Sequence, residues 1–432
     1  MDVHAALAHL GVRVPDVLLP TGDLYRWAVV ACDQFTSQPD YWRQVDQIAG
    51  EEPSTLRLIF PEVYLDQPDS EARIAAINAS MTDYLDAGQL REHPGTMVLV
   101  RRETHHGTVR WGLIVALDLE QYSWAPDAHT LIRATEGTIL DRLPPRVRVR
   151  ESAPLELPHI MVLISDAQRS VIEPLATRAK DFEQLYDTEL MLGGGRVTGW
   201  AVNGSSNFAG IATSLQHLLD GLDPANPLLF AMGDGNHSFA TAKSIWENIK
   251  AQVPRDSWTD HPARYCLVEL ENIYDPGLAF EPIHRVLFGI DRATFEAALV
   301  NHCAAFERAP AASISEVLEA IEGPVQSFGL IDASGPTVYS LSAPAASIAA
   351  GTLQRTIDQL TESGTASVDY IHGADVTEEL GSAPGNLGLL LPQVSKQSFF
   401  ASIVADGALP RKTFSLGEAQ DKRYYLEARR IH

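Results

Sequence analysis

Residues 228–250 read LLFAMGDGNHSFATAKSIWENIK, and the pattern of this stretch organises the rest of the chain. Leu228 to Met232 is an unbroken apolar run that ends in turn residues, which predicts a short strand buried on both faces. Phe239, Ala242, Ile245, Trp246 and Ile249 then recur at helical spacing, with Lys243, Glu247 and Lys250 on the other side. Between strand and helix stand Gly233, Asp234, Gly235, Asn236, His237 and Ser238. A helix N-terminus offers N–H groups and the positive end of the helix dipole, which favours phosphate or carboxylate. Gly233 and Gly235 allow positive φ and close approach of backbone to a ligand. The reading is an anion site over Asp234–Ser238; the alternative is an ordinary Asp-Gly-Asn turn with an N-cap. His237 has no part in a plain cap and favours the first.

Working outward, 432 residues suffice for two or three domains. A hydrophobic content of 45% and a charged content of 21% are ordinary for a soluble globular protein. The net charge of −23 opposes nucleic-acid binding, which depends on Lys and Arg neutralising phosphates. No apolar run approaches the roughly 20 residues needed to cross a bilayer. The first residues show no basic segment followed by an apolar one, and Cys32, Cys266 and Cys303 are far apart with no CxxC. The expectation is a cytoplasmic protein, free of membrane and nucleic acid, with homo-oligomerisation left open.

Strand-like and helix-like segments alternate, which predicts an α/β or mixed α+β fold. Strands are expected at 25–32, 158–166 and 265–275, with hairpins over 96–119 (around His105-His106-Gly107) and 326–344. Helices are expected at 70–88, 170–187, 207–222 and 291–306. The Pro-containing stretch 251–262 is the most linker-like, dividing an N-terminal α/β body (1–250) from a C-terminal α+β part (251–432).

Several groups suit phosphate chemistry. Arg133-Ala-Thr-Glu-Gly-Thr138 puts a guanidinium, a carboxylate and two hydroxyls in one loop, with Glu136 for Mg²⁺ and Thr135 or Thr138 for phosphate oxygens. Asp33 follows an apolar run and is placed to accept the proton of an attacking hydroxyl, with an N-cap or Asx-turn as the alternative. Asp234 is a metal ligand or second carboxylate. Cys32 reads as a buried thiol, and His284 as a satisfied core histidine. Two basic islands, 141–150 and 410–430, are potential sources of cations for the turn, with surface ion pairing as the alternative. The alternating Arg146, Arg148 and Arg150 read as a solvated strand face. No Walker, HExxH or GxSxG pattern occurs.

GDGNHSFATA (233–242) resembles the ADGHHRYATA signature of a mainly bacterial family, domain of unknown function 1015 (DUF1015). The resemblance extends to WAVVACDQFTSQPDYW (27–42), PEVYL (61–65), IRATEGTILDRL (132–143), EPIHRVLF (281–288), DYIHG (369–373) and PRKTFSLGEAQDKRYYLEARRI (410–431). The signature is itself similar to the nucleotide-contacting box of the ParB/sulfiredoxin-like superfamily, which includes kinases of free serine. That similarity implies a ParB/sulfiredoxin-like element inside a larger family-specific body. It further implies ATP or ADP with Mg²⁺ as cofactors, and a small hydroxylated substrate. Gly233, Gly235, Asn236 and Ser238 would hold nucleotide phosphates, Glu136 and Asp234 the metal, and Asp33 and His237 would be catalytic. Arg133, Arg142 and Lys412 lie in family-like motifs and would neutralise charge. The chain departs from the pattern at Asn236 and Ser238, which replace a His and an Arg; without that Arg, a cation must come from elsewhere. A non-catalytic protein that responds to nucleotide or binds a metabolite is the alternative.

Overall fold

The structure, a computed structural model, describes all residues except Met1, Asp66 and Pro126. The fold is mixed α/β, and the chain divides into two units, residues 1–279 with 416–432, and residues 280–415. The expected boundary at 250/251 falls inside the first unit. Stretch 251–262 forms short turns there, around Arg255–Ser257 and the start of Pro262–Arg264. A hydrophilic, Pro-containing segment reads alike as linker or as surface turn, and here it is the latter.

The first unit is built on a ten-stranded mixed sheet. Its strands are β1 (Val12–Arg13), β2 (Met97–Glu103), β3 (Val109–Asp118), β4 (Tyr122–Ser123), β5 (Ile132–Arg133), β6 (Met161–Ile164), β7 (Gln184–Leu190), β8 (Gly195–Val202), β9 (Phe230–Asp234) and β10 (Tyr265–Asn272). They lie in the order β7-β8-β2-β3-β10-β6-β9-β5-β4, with β1 paired to β3. Side chains alternate between two apolar layers: Met97, Leu99, Leu113 and Val115 enter one, and Val98, Val100, Ile114 and Leu267 the other. Both faces are thus buried, which is why β2 and β3 carry unbroken apolar stretches, Met97–Val100 and Leu113–Leu117. Helices α1 (Ser70–Asp86), α2 (Leu143–Arg150), α3 (Ser205–Asp220) and α4 (Asn236–Lys250) belong to this unit. As the periodicity predicts, Phe239, Ala242, Ile245 and Trp246 of α4 are buried.

Three expectations are corrected. Residues 25–32 are not a strand: Leu24–Trp27 is one helical turn, and the extended backbone that follows makes a single bridge from Val30 to Tyr424. The run is apolar because Trp27, Ala28, Val29 and Val30 are all buried, not because it joins a sheet. Residues 170–187 hold two short helical turns, Glu173–Ala176 and Ala179–Asp181, and then enter β7. Arg146 and Arg150 lie on α2, whose Pro sits in the first turn, where a missing N–H and fixed φ suit a helix start.

The second unit carries β11 (Phe280–Phe288), β12 (Ala305–Pro310), β13 (Ser327–Asp332), β14 (Gly335–Ser342), β15 (Ser367–His372) and β16 (Asn386–Leu390). They run in the order β12-β14-β13-β16-β11-β15. Helix α5 (Arg292–Leu299) and helix α6 (Ala349–Glu362) share its core with Phe328, Tyr339 and Leu389. His284 on β11 is buried there, its Nδ1 accepting the Leu391 N–H at 3.1 Å. Among the described residues of the chain, no helix is long and apolar enough to cross a membrane.

Candidate functional site

Strands β5 and β9 run parallel, and the loops leaving their C-terminal ends meet. From the β5 loop, Thr135 donates its Oγ1–H to the Met232 carbonyl at 2.6 Å and its N–H to Asn236 Oδ1 at 3.2 Å. Gly235 then turns the chain into α4 at φ +79°, a left-handed conformation that glycine adopts without strain. Gly233 is required for a different reason than the one expected. Its φ is not positive; it sits where the β9–β6 register shifts, and a Cβ there would lie 2.8 Å from Leu416 Cδ1 and 3.0 Å from Leu163 Cγ. Gly235 offers no side chain to cap α4, so the first-turn N–H groups at Asn236, His237 and Ser238 have no capping side chain from the N-cap residue.

This helix start opens into a cavity of about 250 Å³. Asp33, Glu62, Glu136, Arg146, Arg150, His159, Asp234, Asn236, His237 and Ser238 supply its polar lining. Leu58, Phe60, Met81, Val149 and Leu157 form apolar walls. Asp33, Glu136, Asp234, Gly235, Asn236, His237 and Ser238 line this one cavity together, and Glu62, Arg146, Arg150 and His159 join them.

The 410–430 island reaches this turn through Lys422, which is not part of the cavity lining. Lys422 Nζ lies 3.1 Å from Asp234 Oδ2, while Asp234 Oδ1 accepts the Gly235 N–H at 2.8 Å. Burial alone would raise the Asp234 carboxyl; Lys422, both by its charge and by its hydrogen bond, holds it below its ordinary value. His237 Nε2 accepts the Ile139 N–H at 3.3 Å, which places the proton of the neutral ring on Nδ1. His159, immediately before β6, shares a 3.0 Å hydrogen bond between Nδ1 and the Tyr425 hydroxyl. Glu62 pairs with Arg146. Burial pushes the Glu62 carboxyl above its ordinary value; Arg146 opposes this, and the charge of Asp33 adds to it. Cys32 lies in the same lining, but burial drives its thiol far up, with Asp33 and Glu62 adding, so it is not a thiolate nucleophile.

Glu156, also part of the lining, is clasped by Arg150 and by Arg429, whose Nε lies at 2.7 Å, and accepts the Leu267 N–H at 2.9 Å. Burial raises this carboxyl, and the two guanidinium charges overcome it. Arg423 bridges Glu269 and Glu427 in the same buried layer. Arg423 and Arg429 of the C-terminal basic island are therefore internal counter-ions for buried acids, whereas Arg411, Lys412 and Arg430 are exposed. Arg146 and Arg150, read as a solvated face, belong to the cavity wall because i and i+4 share one side of α2.

Five expected phosphate ligands do not line the cavity: Gly233, packed against Leu416 and Leu163, and four side chains. Arg133 is buried and donates to the Ala128 carbonyl at 2.9 Å and the Pro227 carbonyl at 3.3 Å, tying two loops together. Thr138 lies beside the Tyr122 hydroxyl. Arg142 is exposed on the turn before α2. Lys412 belongs to the second unit, with Nζ 5.2 Å from the Tyr370 ring centroid. Glu62 and Lys422 both stand in segments that the sequence singles out (PEVYL and the basic island). A polar residue after the apolar Leu58-Ile59-Phe60 was the available signal for Glu62.

The architecture is similar to that of a free serine kinase solved in complex with AMP: 9% identity, 74% of this chain and 92% of that one, TM-score 0.39. A mutant free serine kinase in complex with ADP matches at 8% identity over the same shares, with a TM-score of 0.41. A conserved hypothetical protein from Pyrococcus furiosus matches at 9% identity, 72% of this chain and 93% of that one, TM-score 0.37. No curated protein matches the chain. Residues 14–361 match the model of the family described as "Protein of unknown function (DUF1015)", and the chain belongs to that family.

Proposed function

We propose that the cavity at the start of α4 binds ATP or ADP through its phosphates and transfers the terminal phosphoryl group to a small hydroxylated metabolite, free serine being the first candidate. The observation that carries this reading is the convergence, in one cavity, of a helix start without a capping side chain and the carboxylates Asp33 and Glu136. Asn236, His237 and Ser238 face the phosphates with backbone N–H groups, and the helix dipole favours their charge.

The lining counts five carboxylates (Asp33, Glu62, Glu136, Glu156, Asp234) against two guanidinium groups, Arg146 and Arg150. A polyphosphate enters such a cavity only with an added cation. Of these carboxylates, Glu136 and Asp234, the latter also paired with Lys422, are the hard oxygen donors that would hold Mg²⁺. When bound, Mg²⁺ neutralises phosphate charge. In the reaction, Asp33 takes the hydroxyl proton, the hydroxyl oxygen bonds to the terminal phosphorus, and the shortened nucleotide leaves with the bridging oxygen.

A second reading, non-catalytic binding of a nucleotide or a carboxylated metabolite, is favoured by size. About 250 Å³ lies just below the ~300–1,000 Å³ common for ligand pockets. Thermal-shift titration with ATP, ADP, CTP and GTP, with and without Mg²⁺, tests both. The kinase reading expects one nucleotide to raise the melting temperature by several degrees, phosphoserine to form with it, and Asp33→Asn to abolish turnover while sparing the shift. Unchanged turnover in Asp33→Asn removes Asp33 from the mechanism. Protection by metabolites alone supports the second reading, and no nucleotide shift at all discards the kinase.

A further inference from the structure

Away from the cavity, the hairpin between β2 and β3 ends in a tight turn. Gly107 adopts φ +77° and donates its N–H to the Thr104 carbonyl at 2.9 Å, while Thr104 N–H reaches the Thr108 carbonyl, also at 2.9 Å. This closure leaves His105 and His106 at the tip, their ring centroids 3.6 Å apart. Both imidazoles turn toward one carboxylate. His105 Nε2 lies 3.5 Å from Glu418 Oε2, and His106 Nε2 lies 3.9 Å from Glu418 Oε1. One donor atom from each of the three residues can be chosen so that all lie within 4.8 Å of one another.

We propose that His105, His106 and Glu418 bind a divalent transition-metal ion of the zinc class, with water at the remaining position. Ligand atoms about 2.0–2.2 Å from a tetrahedral Zn²⁺ stand about 3.4 Å apart, so rotamer adjustments of up to about 1.4 Å close the set. Two imidazoles and a carboxylate select Zn²⁺ and its neighbours over Mg²⁺ or Ca²⁺, which prefer oxygen.

A surface ion pair would need one histidine. Here the inner one is also oriented from behind, Nδ1 lying 3.0 Å from Asp421 Oδ1, the arrangement that fixes the tautomer and ring of a metal-bound histidine. Asp421 is anchored in turn. Its Oδ2 accepts the Glu418 N–H at 3.1 Å, Arg110 donates to its carbonyl at 2.6 Å, and Arg102 reaches the Gln420 carbonyl at 2.9 Å. His106 and Glu418 are exposed, so an ion enters without unfolding. The site is separate from the cavity, yet it ties the hairpin to the segment that continues into Lys422.

Tag-free protein, stripped with chelator, is titrated with Zn²⁺ by calorimetry and assayed for metal after dialysis. The site expects one ion per chain and a raised melting temperature. His106→Ala and Glu418→Gln should each weaken binding by about tenfold or more, and Asp421→Asn by about tenfold. His129→Ala, an exposed histidine elsewhere, should bind as the parent does. Because His106 and Glu418 are exposed, circular dichroism of their variants should match the parent. Absence of a stoichiometric ion, or equal binding by His106→Ala and Glu418→Gln, overturns the proposal.

Discussion

Lys422→Met removes the cation beside Asp234 while keeping most of the side-chain volume. The pair is 9% and 24% exposed on its two sides, and its N···O distance is 3.1 Å. Removing one partner of a fully buried pair costs about 3–5 kcal/mol, chiefly because the other charge is stranded. Partial exposure and the retained Gly235 N–H reduce that to about 1.5–3 kcal/mol at pH 7. The assay is urea unfolding read by tryptophan fluorescence. Trp27, Trp42, Trp111, Trp124, Trp200, Trp246 and Trp258 are the chain's seven tryptophans, and all lie in the first unit, so the signal reports that unit alone. The sign with pH follows from Asp234 being held low. Its stabilising contribution is complete above the unfolded value of about 3.9 and is lost as pH falls through the folded value. The gap between parent and variant should therefore narrow on acidification, as the stranded carboxyl, raised by burial once Lys422 is gone, takes up its proton. Asp234→Asn combined with Lys422→Met should cost less than the two single changes added together. A loss under about 0.5 kcal/mol, strict additivity, or a gap that widens on acidification would refute the assignment of Lys422 to Asp234.

Gly235→Ala forces a side chain into φ +79° with its Cβ 3.0 Å from Ile160 Cγ1; it should cost at least about 1–2 kcal/mol in the same assay and lower any nucleotide-induced shift. His284 should titrate at about 4 by NMR, because burial, then the charges of Arg285 and His372, disfavour its imidazolium. With that value below the unfolded ~6.5, the second unit should lose roughly 2–3 kcal/mol as pH falls from about 6.5 to 4, measurable by hydrogen exchange. A His284 titration near 6.5 would remove this term.

The strand, turn and helix of 230–250 were legible because their signal is local: an apolar run, two glycines and a 3.6-residue period within one window. Asp33, Glu136 and the 234–238 turn were legible for the same reason, each standing where an apolar run gives way to polar loop. Residues 25–32 were not, because their backbone partners are remote. Ala31 N–H bonds to the Arg423 carbonyl at 2.9 Å, Val29 accepts from Tyr425 N–H at 2.8 Å, and Cys32 N–H reaches the Tyr425 hydroxyl at 3.1 Å. The basic island was visible, but Lys422 and Lys412 look alike in sequence. Only the return of 416–432 to the first unit separates them. On α2, proline in the first turn was the overlooked cue, and Arg alternation was given more weight than it carries.

That return orders events during synthesis. A ribosome completes β10, with Glu269 inside it, and then the whole second unit before it makes Arg423 and Arg429. Until then, Glu269 lacks Arg423 and Glu156 keeps only Arg150 of its two guanidinium partners, and closing the sheet over under-compensated carboxylates is unfavourable. Nascent chains should therefore hold the first unit open, protease-sensitive and dependent on chaperones, until residues 416–432 emerge. Translation stopped anywhere in the second unit would release a product that quality control recognises by its uncompensated acids.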